Sequence, residues 1–362
     1  MALTTSRSVP RSTLELRRVL HALPKVELHR HLEGSLRLET LAEIAQEHGI
    51  DLPGYNIEQL RPYVQFTDEQ PDFHRFLEKF KLLKRFYTSR EAVKRVAYEA
   101  VLDAAADNVR YLELRFNPAA LAYTQNFSLH EVTELVIEAV NQAQAETGIW
   151  VRLLCTAVRH DSYELARQVI DVAIAYRDWG VVGVDLAGDE VHFPAAPFAP
   201  LFQHAATCGL GVTIHAGEAG GAANVREAIE LLRAHRIGHG IRAIEDSHVV
   251  QMLRQRQVAL EICPTSNLQT AAVSNFGLHP LRDLYVLGAN VTINTDDPSI
   301  SDTTLTDEFM VAIMGLGLNL RDLRRCTRNS IRAAFLEPTD KQRLEQQLMN
   351  DFDALVGDQN RD

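Results

Sequence analysis

The chain has 362 residues, 46% of them apolar and 23% charged, with a formal net charge of -11. That length and apolar share allow one large core. The acidic balance, with no long Lys/Arg block, excludes a nucleic-acid polymer as partner, and no apolar run reaches membrane-spanning length.

Residues 1–12 are polar, rich in Ser and Thr, and lack the apolar centre of a signal peptide, so they read as a loose tail before one domain, 13–362. Short apolar runs then alternate with long amphipathic stretches. The predicted strands are Lys25–Leu28, Val109–Arg115, Trp150–Val158, Val181–Leu186, Gly211–Ile214, Arg236–Ile237, Val258–Cys263 and Asn290–Asn294. Runs such as Val-Val-Gly-Val-Asp-Leu suit strands buried on both faces. The predicted helices between them include Arg90–Asp107, His130–Thr147, Ser162–Trp179 and Asp246–Gln255. Eight strand–helix units imply a parallel α/β barrel of the (β/α)8 type. An open doubly wound sheet is disfavoured, because the glycine-rich segment Ala216–Gly221 lacks dinucleotide and phosphate-loop spacing. Cys155, Cys208, Cys263 and Cys326 form no CxxC, which fits free thiols in a reducing compartment and a cytoplasmic location.

Chemistry in such barrels sits at the carboxyl ends of the strands. There the sequence places His29 and His31, Arg115, Gly188 with Asp189 and Glu190, His215 with Glu218, His239, and the pair Asp296-Asp297. An i, i+2 pair of histidines in extended chain points to one side and can grip one ion. Imidazole with carboxylate suits Zn²⁺, and also Co²⁺, Fe²⁺ or Mn²⁺. Several of these residues have plainer readings. Asp297 can cap the helix that follows it, Glu218 can be a surface loop carboxylate, and Arg115 reads as a barrel salt-bridge residue. His192, His204 and His248 read as hydrogen-bonded structural histidines. Phe73, Phe76, Leu77 and Phe80 follow helical i, i+3, i+4, i+7 spacing, which is a core stripe in most proteins.

The segments Pro24–Ser35 (PKVELHRHLEGS), Asp185–Glu190 (DLAGDE), His215–Glu218 (HAGE), Gly238–Gly240 (GHG) and Asn294–Pro298 (NTDDP) together resemble the adenosine deaminase family, in that family's order. Tyr111–Arg115 and Cys263–Asn267 add to the match. The resemblance implies hydrolytic deamination of a 6-aminopurine with one Zn²⁺ held by His29, His31, His215 and Asp296. It implies that the metal lowers the pKa of a water, that His239 orients this water, and that Glu218 donates a proton to purine N1. It further implies that Asp297 meets N7, the Gly188 backbone meets N3, and the Phe76 and Phe80 side chains belong to a helix lidding the pocket. The Cys-ligated deaminase motif is absent. No lysine lies between Lys94 and Lys341, so no central strand supplies the carbamylated lysine of binuclear relatives.

Glu33 departs from the Asp of relatives best matched to adenosine, and relatives that take free adenine tend to carry Glu there. Thr295 and the Leu260–Thr270 segment resemble the nucleoside branch instead. The reading is therefore adenosine or 2′-deoxyadenosine, with adenine or a 5′-modified nucleoside such as aminodeoxyfutalosine as alternatives. A purine-binding relative without turnover is a further alternative.

Overall fold

The structure is a computed structural model and describes residues 12–358, apart from 53, 68 and 126. The expected tail lies outside the described residues except for Ser12. That hydroxyl accepts the N–H of Glu15 and caps the helix Thr13–Ala22, so Ser12 belongs to the folded part.

Eight parallel strands follow one another around a barrel in chain order: β1 Lys25–His31, β2 Val109–Phe116, β3 Trp150–Val158, β4 Val181–Ala187, β5 Gly211–Ala216, β6 Arg236–His239, β7 Ala259–Ile262 and β8 Asn290–Ile293. All eight expected strands are present. The largest differences include β1, β5 and β6, which run on through the site histidines. Helix starts were read one residue early at Ser162 and Asp246. Both are N-caps whose side chains accept backbone N–H groups of the first turn.

The barrel closes at the site itself. Beyond β8 the chain returns to β1 as an isolated bridge between Arg30 and Asp296. Asp296 donates its N–H to His29 O at 2.9 Å and accepts the N–H of His31 at 2.8 Å. One backbone contact therefore fixes an aspartate between two histidines.

The barrel interior is more polar than the apolar runs imply. Arg115 and Arg236 are fully buried and pair with Asp185, Glu113 and Glu261. The structural reading of Arg115 is correct. The apolar cluster lies mainly between the strands and the surrounding helices, where Leu112, Leu114, Val184, Ile214 and Ile237 are buried. Among the described residues four α-helices and one short 3-10 helix separate β1 from β2, and one of the α-helices, Phe73–Leu83, covers the carboxyl end of the barrel. Among the described residues no helix is long and apolar enough to cross a membrane.

Candidate active site

A cavity of about 880 Å³ opens at the carboxyl ends of the strands. His31, Glu33, Gly188, His215, Glu218, His239, Asp296 and Asp297 all line it, and Phe76 and Phe80 form part of its cover. Of the residues the family resemblance assigns to the site, His29 alone does not line it. His29 is fully buried and touches Asp296 from below.

The donor atoms are packed as ligands of one ion would be. His31 Nε2 stands 3.3 Å from His215 Nε2 and 3.3 Å from Asp296 Oδ1, and His29 Nε2 is 3.0 Å from the same oxygen. Two ligands at about 2.0–2.1 Å from a tetrahedral ion stand about 3.3 Å apart. His29 Nε2 is buried with no hydrogen-bond partner, an atom left with a lone pair to offer. Its Nδ1 faces Glu261 Oε2 at 2.8 Å, and His215 Nδ1 faces Asp185 Oδ1 at 3.0 Å. Each carboxylate accepts a hydrogen bond from Nδ1–H, so each ring keeps Nε2 free for a metal. Burial pushes the Asp185 and Glu261 carboxyls up, but His215 and Arg115 hold Asp185 ionised, as Arg115 and Arg236 hold Glu261. Ser266 Oγ donates to Asp296 Oδ2 at 2.7 Å, which leaves Oδ1 turned to the histidines. The residues present fit a divalent ion.

His239 is also within ligand range of His29, His215 and Asp296, yet its hydrogen bonds give it a different part. The Leu281 N–H donates to His279 Nδ1 at 3.1 Å. A neutral His279 then carries its proton on Nε2, 3.3 Å from Asn267 Oδ1. Asn267 Nδ2 in turn donates to His239 Nδ1 at 3.0 Å. Burial lowers the pKa of both rings, His279 to about 4 and His239 well below the usual value, so both are neutral. The His239 proton therefore sits on Nε2, which faces Glu218 Oε2 at 3.5 Å and Asp296 Oδ2 at 3.8 Å. It offers a donor where His29 and His215 offer lone pairs. Both His239 and Asp296 hold left-handed backbone, φ 59° and 68°, a strain that recurs at functional positions.

Burial and the nearby Asp296 charge raise the Glu218 carboxyl well above its ordinary range. Thr270 Oγ1 donates to it at 2.9 Å. The surface-loop reading of Glu218 is wrong: the side chain is buried in the cavity wall. The capping reading of Asp297 fails as well. It occupies the N-cap position, but its side chain makes no capping bond, and Oδ1 is buried without a partner. Burial, Asp296, Glu33 and Glu218 together raise its pKa. A Cβ on Gly34 would lie 1.9 Å from Asp297 Oδ1, so only glycine leaves that carboxyl its place. Gly188 has φ 96°, and a side chain there would meet Val158 at 3.0 Å. Glu33 Oε1 accepts the Asn117 N–H at 2.5 Å, and burial raises its carboxyl to about 7.

Both readings of the phenylalanine stripe hold. Phe76 is buried against Phe66 and Phe80, with ring centroids 6.3 Å apart in each case, and the same helix face lines the cavity. His204 and His248 lie away from the cavity, His204 near Cys208 and His248 beside Asp246. His192 pairs with Asp189 at the cavity mouth.

Sequence reasoning assigned no role to Glu190, Glu261, Ser266, Asn267 or His279. Glu261 carried a usable signal, a lone charge within an apolar strand.

A parallel eight-stranded barrel with imidazoles and a carboxylate gathered at its carboxyl end is the architecture of the amidohydrolase-type deaminases. Residues 24–351 match the adenosine deaminase family model. An adenosine deaminase of Clostridium botulinum is 38% identical over 324 residues, covering 89% of this chain and 96% of that one. The solved adenine deaminase of Arthrobacter aurescens is 31% identical with TM-score 0.84, covering 92% of this chain and 99% of that one. A Burkholderia ambifaria amidohydrolase solved with bound Zn is 25% identical with TM-score 0.89, covering 99% and 98%. The chain belongs to the adenosine deaminase family of hydrolases.

Proposed function

We propose that this chain hydrolyses the 6-amino group of adenosine or 2′-deoxyadenosine, releasing ammonia and leaving the 6-oxopurine. The observation that carries the reading is the pairing, in one cavity, of a divalent-metal donor set with a buried carboxyl kept protonated, Glu218. His29, His31, His215 and Asp296 would hold a single Zn²⁺. When bound, the ion supplies the Lewis acidity that lets water lose a proton near neutral pH.

The chain's own groups do the rest. Glu218 gives its proton to N1, which draws electrons from C6 and prepares that carbon for the incoming oxygen. His239 presents Nε2–H beside Asp296, where it stabilises negative charge on the attacking oxygen. Asp297, neutral and unpartnered, donates to N7, and the Gly188 backbone meets N3, which holds the purine edge-on to Glu218. The C6–N bond then breaks: one proton of the attacking water goes to the nitrogen, which leaves as ammonia, the other returns to the Glu218 carboxylate, and N1 keeps the proton it was given. Phe76 and Phe80 keep water from the reacting face.

A second reading, deamination of adenine or of a 5′-modified nucleoside, is favoured by one observation. Glu33 brings a longer, buried carboxyl to the cavity wall than the family's nucleoside branch does. Ammonia release by zinc-replete protein given adenosine, 2′-deoxyadenosine, adenine and a 5′-modified adenosine in parallel tests both. Adenosine winning sustains the first reading, and adenine or the modified nucleoside winning transfers specificity to Glu33. Substrate binding with no release from any of them overturns the enzymatic reading.

A further inference from the structure

We propose that His74, Asp189 and His192 form a second divalent-metal site, at the mouth of the cavity and apart from the donor set on its floor. One ring nitrogen from each histidine and one carboxylate oxygen of Asp189 lie within 4.8 Å of one another. The two imidazole rings are 6.1 Å apart between centroids. Asp189 is set for the purpose by its own loop. Oδ1 accepts the N–H groups of Val191 and His192 at 2.9 and 3.1 Å, which leaves Oδ2 facing His192 Nδ1 at 2.7 Å. Among the described residues His192 is the only ion-pair partner of that carboxylate, and the Arg159 guanidinium acts on it from farther off.

A hydrogen-bonded Asp–His pair three residues apart is ordinary on a loop. It does not account for His74, which comes from a separate segment more than a hundred residues earlier and brings a third donor within 4.8 Å, so that a small turn of the exposed imidazoles closes the set on one ion. Two imidazoles and one carboxylate, with the remaining positions open to water, make a common three-ligand set for a transition metal. The imidazole content selects Zn²⁺, Ni²⁺, Cu²⁺ or Co²⁺ over Mg²⁺ or Ca²⁺. Both histidines are exposed, so an ion reaches the site from solvent without passing the cavity.

The position gives the site a consequence. His74 lies on the helix Phe73–Leu83 that covers the cavity, and Asp189 and His192 lie on the loop after β4. His74 and Asp189 both line the cavity. An ion shared between them ties the cover to the barrel rim across the route a ligand takes. It binds the closed arrangement in preference to an open one, and by linkage it opposes opening. Metal in excess of the floor site therefore slows turnover.

Equilibrium dialysis of the metal-loaded protein against Zn²⁺ and Ni²⁺, with metal counted per chain, reads the site without reference to substrate. The expected result is one equivalent above the baseline content in the wild type. Neither His74→Ala nor His192→Ala takes that extra equivalent, while both keep the baseline metal, and each variant's turnover is read against its own value before metal is added. In the wild type, turnover falls as the extra equivalent binds, and in the variants added metal leaves it unchanged. No extra equivalent, or one that survives in both variants, overturns the site. Full occupancy without loss of turnover overturns its hold on the cover. Neither failure touches the assignment of substrate, which stands on ammonia release at baseline metal.

Discussion

Glu190 Oε1 accepts the backbone N–H of Glu218 at 2.8 Å, so one buried carboxylate sets the position of another. Glu190 also takes the N–H groups of Gly217 and Gly220 at 2.9 and 2.8 Å and the side-chain amide of Asn224 at 3.0 Å. The glycine-rich loop after β5 is thus an anion cradle, and the anion it holds is supplied by the chain itself. Replacing Glu190 by Gln removes the charge and turns an amide N–H₂ towards backbone donors. Losing charge-assisted bonds of this kind costs about 1.5–3 kcal/mol. If that loss appears as misplacement of Glu218 in the transition state, kcat falls roughly ten- to a hundredfold. Metal content stays unchanged, because no floor ligand is touched. A kcat equal to wild type in folded, metal-loaded Glu190→Gln would show that the cradle does not position Glu218.

Glu218→Gln keeps the shape of the side chain and a partner for Thr270 Oγ1, but removes the transferable proton. General acid catalysis is typically worth about 10²–10⁴-fold, and a loss of that size in kcat is expected, with metal content and Tm retained. Turnover near the wild-type rate would remove Glu218 from the role of acid.

The chain of bonds from Leu281 through His279 and Asn267 to His239 makes a prediction about a single proton. In the wild type, ¹⁵N resonances should show His239 protonated at Nε2 and bare at Nδ1. Replacing His279 by Phe removes the donor to Asn267 Oδ1, and the amide is then free to turn its oxygen toward His239. The expected outcome is a shift of the His239 proton towards Nδ1 and a fall in kcat that exceeds any change in KM. A bare Nε2 in the wild type would overturn the assignment.

How much of this was legible in the sequence follows from how each residue is held. His29, His31, His215 and Asp296 end short apolar runs, and for His29 and His31 the period-two alternation of a strand says that they point to one side. The eight strands were readable for the same reason. The charged interior was legible only at Arg115, read as a salt-bridge residue, and in the lone charge of Glu261, because runs buried on both faces look alike whichever face meets a partner. Arg115, Arg236, Glu113 and Glu261 neutralise one another across three strands, and the choice of partner in such pairings leaves no local pattern. The same holds for His279. It lies in the connection between β7 and β8, and its effect on His239 passes through Asn267, a contact set by the tertiary fold alone. Asp297 was ambiguous because its position before Pro298 is an N-cap position. The unpartnered Oδ1 resolves it, and that is a property of the folded site.

Glu308 carries a pH-dependent load on stability that is separable from catalysis. It is fully buried, accepting the Thr265 N–H at 3.1 Å and the Thr303 O–H at 2.8 Å. Burial raises its carboxyl from 4.5 to about 7, with the Thr265 and Thr303 bonds only partly offsetting the shift. The folded state therefore binds the proton more tightly than the unfolded chain does. Below about pH 4.5 both states are protonated and the group adds no penalty. As pH rises through the window from about 4.5 to about 7, the unfolded chain ionises first and folding is progressively disfavoured, and above about 7 the penalty is constant. At about 1.4 kcal/mol per pKa unit it amounts to at most roughly 3 kcal/mol. In Glu308→Gln the amide oxygen accepts from Thr265 and the amide N–H₂ donates to the Thr303 hydroxyl, so both bonds survive without the charge. The variant should match the wild type at pH 5 and exceed it in Tm by a few degrees at pH 8, read from thermal melts across that range. Parallel Tm curves for the two proteins would mean that Glu308 is ionised at no penalty in the fold.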